Sequence, residues 1–315
     1  MATINIGEIA ATTLRNRSGE LADNVSNHNA VWHRLNKKGN IRPLDGGRDI
    51  VQELEYAANG TVAWYSGYET LSTTPTDVFD AATYDWKQLA GTVTISGLEE
   101  IKNSGKEAII NLIDSRLKNL ERSLINTAAT AVYADGTGSS GKELGGLQLI
   151  IDDDPSSSST VGGINSVTYT FWRNQYSAAA GTSSGNILSR MNTMWLSCLR
   201  GKDKPDLITS DANFYTDFEA SLQQNQRFTD ASMAEAGFEA LKYKTADVVY
   251  DDQCTTNRMY FINSDYLFLR PHKSRQFVPL EDRMAINQDA YVIPVVWAGN
   301  MTCSNRSLQG VIIAS

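Results

Sequence analysis

An α+β fold is predicted for this 315-residue chain on three observations. One long amphipathic helical pattern occupies residues of about 105–133. A β-branched run of alternating polarity, Thr92-Val93-Thr94-Ile95, leads toward it. Beyond it, short apolar runs of strand length mix with further helical stretches. The length is roughly two domains' worth, enough to bury a real core.

Residues 1–47 read as an N-terminal arm. They are rich in Asn (Asn24, Asn27, Asn29, Asn36, Asn40), with weak helical spacing at Ile6, Ile9, Ala10 and Leu14 and again at Val31, Trp32 and Leu35. A segment of that size buries no core alone and is expected to lie on other protein surface. A hairpin follows. Asp49–Tyr56 and Thr61–Tyr65 flank Ala58-Asn59-Gly60, and Asn-Gly supplies the positive φ values a two-residue turn requires. Aromatic residues continue through Trp64, Tyr65 and Tyr68, and Pro75, Asp77 and Asp80 mark a loop.

Ser96-Gly97-Leu98-Glu99 and Ser104-Gly105-Lys106-Glu107 are successive capping boxes, each with a Ser at the cap and a Glu three positions on. They predict a short helix, a break at Asn103–Gly105, and the long helix. Its apolar face is Ile109, Leu112, Ile113, Leu117, Leu120 and Leu124; Arg116, Lys118, Asn119 and Arg122 stand opposite. At 1.5 Å per residue it is about 42 Å long, the length of a strut.

Residues 135–186 are irregular: a Gly/Ser turn, Asp152-Asp153-Asp154-Pro155 with four serines, the cluster Tyr169-Thr170-Phe171-Trp172, and a second Gly/Ser stretch. They are either an ordered insertion or a mobile loop. A second amphipathic helix runs through Ile187, Leu188, Met191, Met194, Trp195, Cys198 and Leu199, stopped by Gly201 and Pro205. Strands are expected at Leu207–Thr209, Val248–Tyr250, Met259–Ile262, Leu267–Leu269, Tyr291–Trp297 and Leu308–Ala314, with a helix capped by Asp211.

Charge and composition exclude several functions. With 28 Lys+Arg against 36 Asp+Glu the net charge is −8, and no basic concentration supports sequence-specific nucleic-acid binding. No apolar run approaches the roughly 18 residues that span a bilayer. The first residues lack a basic flank before an apolar stretch, so no secretory signal is expected. Cys198, Cys254 and Cys303 are scattered and odd in number, which fits a reducing compartment.

Candidate chemistry is thin. Gly136-Thr137-Gly138-Ser139-Ser140-Gly141-Lys142 satisfies a dinucleotide pattern and most of a P-loop pattern. A phosphate cradle needs a strand entering and a helix leaving, whereas here a helix enters and Glu143 replaces the metal-binding Ser/Thr. The reading is a flexible turn. Asp152–Asp154 lacks the alternate spacing and final Glu of a calcium loop. His28, His33 and His272 supply neither a closed zinc set nor a nucleophile–base pair. No catalytic, cofactor or metal residue is assigned, and an enzyme is not expected.

The order of these elements resembles the major capsid proteins of tailed bacteriophages, the Hong Kong-type capsid fold. The resemblance rests on Gly46-Gly47-Arg48-Asp49-Ile50, Tyr84-Asp85-Trp86-Lys87-Gln88, and Val93 to Glu100 leading into the long helix. It continues through Tyr133-Ala134-Asp135-Gly136-Thr137, Gly145-Gly146-Leu147, Val161-Gly162-Gly163-Ile164, Phe171-Trp172-Arg173-Asn174, Lys204-Pro205-Asp206-Leu207-Ile208 and Ala298-Gly299-Asn300. It covers most of the chain from about residue 44 and is carried by order and spacing.

The resemblance implies a layout: N-terminal arm 1–47; extended β-hairpin loop with lead-in strand 48–95; peripheral domain 96–205 with a spine helix at about 105–133; axial domain 206–285; and closing strands of the peripheral domain 286–315. In that family the arm and loop lie across neighbouring subunits, so Trp32, Asn59, Gly60, Trp64 and Tyr65 are expected at inter-subunit contacts. The implied function is self-assembly into pentamers and hexamers of an icosahedral phage head enclosing double-stranded DNA, in a virion assembled in the host cytoplasm. The implied partners are the chain itself, a separate scaffolding protein, a portal and a possible cement protein, with no membrane and no cofactor.

Two departures qualify that picture. Some relatives crosslink through a loop lysine, and no lysine stands between Arg48 and Trp86, so no covalent mesh is expected. Only about 47 residues precede the loop, without the composition of a helical scaffold, so a separate scaffolding protein or a cleaved precursor is expected. The alternatives are an encapsulin-like compartment shell, a carbohydrate-binding virion protein using the Trp64–Tyr68 cluster, and a nucleotide-using enzyme at the Gly-rich turn.

Overall fold

The computed structural model describes residues 29–102, 106–157, 159–179, 183, 185–222, 240–280, 283–284 and 289–314. The pattern at Ile6, Ile9, Ala10 and Leu14, His28 and the Ser104 cap lie outside the described residues, as do the side chains of Ile109, Leu112 and Ile113.

The chain opens with helix α1 (Ala30–Lys37), capped by Asn29, whose Oδ1 accepts from the N–H groups of Val31 and Trp32 at 3.0 and 3.1 Å. Ala30, Val31, Trp32 and Leu35 are buried on its inner face. The part of the arm from Asn29 to Leu44 therefore packs on its own chain. Past the helix, Ile41 and Leu44 form parallel bridges to Leu269 and His272. Arg34 pairs with Asp247, and Lys38 reaches Asp206 at 3.2 Å and Asp265 at 2.7 Å.

Strand β1 (Ile50–Glu55) pairs antiparallel with β2 (Phe79–Tyr84), Ile50 opposite Tyr84 and Glu55 opposite Phe79. The predicted hairpin is corrected here. Thr61–Tyr65 is not the partner strand, and Asn59-Gly60 closes no two-residue turn, because the loop spans residues 56–78. Local Asn-Gly chemistry cannot set a register that depends on which later segment offers a matching buried alternation. Here Ala82 and Tyr84 meet the buried Ile50, Gln52 and Leu54.

β3 (Lys87–Ser96) runs antiparallel to β14 (Ala290–Cys303) from Lys87 opposite Gly299 to Ser96 opposite Ala290. On its other side β14 pairs with β11 (Leu267–Pro271), β12 (Val278–Pro279) and β13 (Arg283–Met284). The first capping box forms: Glu99 N–H donates to Ser96 Oγ at 3.3 Å, and Ser96 N–H donates to Glu99 Oε2 at 3.2 Å. It starts α2 (Gly97–Lys102), followed by the spine helix α3 (Lys106–Tyr133). Leu117, Leu124, Ala128 and Ala131 pack on Val93, Ile95, Ile293, Val295 and Trp297. Gly91 permits this approach, since a Cβ there would meet Leu120 Cδ1 at 2.4 Å.

A six-stranded sheet has the order β6 (Gln175–Ala179), β15 (Gly310–Ala314), β10 (Arg258–Ile262), β7 (Leu207–Ser210), β9 (Ala246–Tyr250), β8 (Ala240–Tyr243), with β6–β15 and β7–β9 parallel. Its alternate residues feed two cores. Leu207, Val249, Tyr260, Ile262 and Val311 face α1 and the spine helix. Ile208, Val248, Met259, Phe261 and Ile312 face α4 (Ile187–Ser197) and α5 (Ala212–Leu222). Burial on both faces explains the unbroken apolar runs in these strands. The second helix and the last strand thus pack with the 206–285 segment, although the sequence reading placed them with the spine helix.

Between the spine helix and β6 the described residues are ordered by packing. Val161-Gly162-Gly163-Ile164 forms a tight hairpin of β4 (Thr160–Val161) and β5 (Ile164–Asn165), with both glycines at positive φ. Buried Trp172 donates from Nε1 to Val161 O at 3.0 Å. Arg306 is fully buried and donates to Ile150 O at 2.6 Å, Asn174 Oδ1 at 3.1 Å and Ser159 Oγ at 3.3 Å.

Candidate inter-subunit surface

The extended loop has a fixed root. Ile50, Leu54, Ala82 and Tyr84 form a small core with Val161, Ile164 and Trp172. The Tyr84 hydroxyl donates to Cys303 O at 3.3 Å, and Arg270 Nη2 donates to Gln52 Oε1 at 2.9 Å. Gly162 lies beneath this root. Its carbonyl accepts from Thr83 N–H at 2.9 Å, and a Cβ on Gly162 would stand 2.6 Å from that of Ala82.

The root carries residues 56–78 outward. Asn59 Oδ1 accepts from Thr61 N–H at 3.0 Å and Thr61 Oγ1 at 2.8 Å, an Asx turn, and from Thr76 Oγ1 at 3.4 Å on the returning limb. A second turn forms where Ser66 N–H donates to Glu69 Oε2 at 3.0 Å and Gly67 takes φ +48°. Trp64 and Tyr68 are fully exposed, Tyr65 is 65% exposed, and Val62, Leu71 and Phe79 are exposed as well. From Asp49 to Trp86 the chain has no basic residue, while Glu53, Glu55, Glu69, Asp77, Asp80 and Asp85 are acidic. So many large apolar side chains left in water on one projection form the kind of surface that a protein interface covers.

Of the five residues predicted at contacts, Asn59, Gly60, Trp64 and Tyr65 stand on this exposed loop. Trp32 does not. It is buried against Trp297, ring centroids 6.3 Å apart, because α1 packs into its own chain's core. Val62, Leu71 and Phe79 join the surface; an apolar residue in a strand-like pattern reads as core until its partner strand is known.

Elsewhere the chemistry is spent on structure. The Gly136–Lys142 segment follows the spine helix as a turn with positive φ at Gly136, Ser139, Ser140 and Gly141. Asp153 pairs with Arg258, and Asp154 Oδ1 caps Ser156. His33 is pushed to lower pKa by burial and by Lys37 and Arg34. Burial raises all three thiols, Cys198 and Cys303 to about 12. Among the described residues no group of three or more His, Cys, Asp or Glu is placed to hold a metal ion, and no helix is long and apolar enough to cross a membrane.

The spine helix is braced by the β3–β14 sheet, the six-stranded sheet has helices on both faces, and a two-stranded loop projects beside them. The chain is similar to the cyanophage A-1(L) capsid chain, with TM-score 0.67, 17% identity, and 87% of this chain and 90% of that one covered. It is also similar to a capsid chain of a native GTA particle, with TM-score 0.59, 9% identity and 89% of each chain covered. The holo-SrpI encapsulin complex from Synechococcus elongatus PCC 7942 matches with TM-score 0.52, 9% identity, and 91% and 88% covered. No family model and no curated protein matches the sequence. At these identities the likeness is one of fold: the chain has the α+β Hong Kong-type capsid fold.

Proposed function

We propose that this protein is the major capsid protein of a tailed phage, a non-enzymatic subunit that assembles into the pentamers and hexamers of an icosahedral head around double-stranded DNA. The observation that carries this reading is the extended loop: a rigid root holding fully exposed Trp64 and Tyr68 on a capsid fold. In an assembly the loop is covered by a neighbour, so each subunit distributes contact area over several others and modest contacts add. Its acidic character complements Lys118 and Arg122, exposed on a neighbour's spine helix. A net charge of −8 suits a wall that encloses DNA without trapping it. The partners in this reading are the chain itself, a separate scaffolding protein, a portal and possible cement proteins. The place of assembly is the host cytoplasm. The layout in this reading is arm 1–47, extended loop 48–95, peripheral domain 96–205 with 286–315, and axial domain 206–285, against which α4 and β15 pack.

Expression of the chain, alone and with a candidate scaffolding protein, followed by size-exclusion chromatography and negative-stain electron microscopy, tests this. Closed shells, tubes or discrete pentamers and hexamers are expected, and a monomer at every concentration would refute the reading. The triple variant Trp64→Ala, Tyr65→Ala, Tyr68→Ala should keep monomer stability within about 0.5 kcal/mol, as exposed substitutions do, and lose particle formation. The likeness to an encapsulin chain supports a second reading, a compartment shell holding protein cargo. Particle contents, DNA or protein, decide between the two.

A further inference from the structure

Asn59-Gly60 offers the turn chemistry of a hairpin yet closes none, since β1 ends at Glu55 and its partner begins at Phe79. Asn59 is exposed, lies in neither helix nor strand, and is the only Asn of the chain followed by Gly. That dipeptide has a chemistry of its own. The backbone nitrogen after an Asn can close a five-membered ring on the side-chain amide carbon, and glycine has no side chain to hinder the approach.

The turn also prepares the electrophile. Asn59 Oδ1 accepts from Thr61 N–H at 3.0 Å, from Thr61 Oγ1 at 2.8 Å and from Thr76 Oγ1 at 3.4 Å. These donors draw charge from the amide carbon and stabilise the oxyanion that forms when a nucleophile adds to it. Among the described residues no acceptor takes the Gly60 N–H, which leaves its proton open to base in water. Asp45-Gly46 and Asp135-Gly136 share the glycine but not the electrophile. Asp45 is ion-paired with Lys273, and hydrogen bonds from Thr137 hold the Asp135 carboxyl below its usual range, so both meet a nucleophile as carboxylates.

We propose that Asn59 is a self-modification site at which the loop tip converts to isoaspartate, and that the conversion removes the free subunit from assembly. The second half rests on the shell reading above. Gly60 N gives its proton to base and adds to Asn59 Cγ; the bond from Cγ to Nδ2 breaks, ammonia leaves, and a succinimide closes. Water then opens the ring. Attack at Cγ gives an aspartate in the normal chain, and attack at the backbone carbonyl carbon of residue 59 gives isoaspartate, with no change of oxidation state. In isoaspartate the chain runs through the former side chain and is one methylene longer. Thr61 loses its side-chain acceptor, and the exposed Trp64 and Tyr65 beyond it lose their placing.

Ageing the purified full-length chain in mildly alkaline buffer tests this, with peptide mapping by mass spectrometry and isoaspartate counted by the isoaspartyl methyltransferase reaction. Asn59 should be the first Asn to gain one mass unit, at a rate that rises with hydroxide. Gly60 is not at positive φ, and a Cβ there would meet Thr76 Cγ2 at 3.4 Å, an ordinary contact, so Gly60→Ala keeps the fold. It should slow conversion by about tenfold, and Thr61→Val by about fivefold, the factor that one hydrogen bond carries. Aged wild type should lose particle formation in step with isoaspartate, while fresh Asn59→Asp and aged Gly60→Ala assemble like fresh wild type. Another Asn converting first, a rate unmoved by Gly60→Ala or by Thr61→Val, or full assembly of isoaspartate-bearing chains would each overturn the proposal. Fresh wild type that forms no particles refutes the shell reading and the assembly half with it, while the mass measurement judges the chemistry on its own.

Discussion

Arg306 has a planar guanidinium buried with three neutral acceptors from three different segments, Ile150, Ser159 and Asn174, and its ring neighbour is Trp172 at 5.9 Å. Burial lowers its pKa, because desolvation disfavours the charged form. Arg306→Ala strands them, and a loss of about 3 kcal/mol in urea denaturation is expected; Arg306→Lys should not restore it, since an ammonium lacks the fork. Glu99 behaves differently. Hydrogen bonds from Arg116, then from Ser96, hold its carboxyl at about 2, below its usual 4.5. A carboxylate depressed on folding stabilises the native state above its unfolded pKa, and that stabilisation is lost as pH falls through the folded one. The stability gap between wild type and Glu99→Gln should therefore be full above about pH 4.5 and close toward pH 2, read from denaturation midpoints at each pH.

At the scale of elements, root and tip of the extended loop answer to different rules. The root is a packed core in miniature, and Gly162 is its tightest point, with φ +61° and no room for a Cβ under Ala82. Gly162→Ala should cost about 2 kcal/mol in thermal or urea unfolding, through overpacking and a disfavoured backbone conformation. The tip contributes little to the monomer, so substitutions there separate assembly from folding. The elements most legible in the sequence are those whose signal is local. The spine helix, expected at about 105–133, spans Lys106–Tyr133, and the Ser96–Glu99 box makes the two bonds its spacing predicts. The hairpin was legible only as an extended segment, because Asn59-Gly60 offers a plausible turn while the true partner of β1 begins at Phe79.

For the whole molecule, the absence of lysine between Arg48 and Trp86 has a direct consequence. Assembled particles dissolved in denaturant should run as one subunit band on electrophoresis; a ladder of covalent multimers would contradict this. The two sheets share one large core through the spine helix and α1, joined by the buried hydrogen bond from the Tyr133 hydroxyl to Asp251 Oδ2 at 2.8 Å.

Periodicity and capping chemistry are properties of neighbouring residues, so the sequence alone determined the long helix, most strand positions and the order of elements that marks the fold. Trp32 shows what it left open. An amphipathic stripe on an Asn-rich arm reads the same whether its partner is another subunit or the chain's own Trp297, and only the folded chain decides. The same holds for β15, which pairs in parallel with β6 and antiparallel with β10, and for α4, whose apolar face meets that sheet. Pairing across long stretches of sequence depends on which surfaces become available as the core closes, and no local pattern records it.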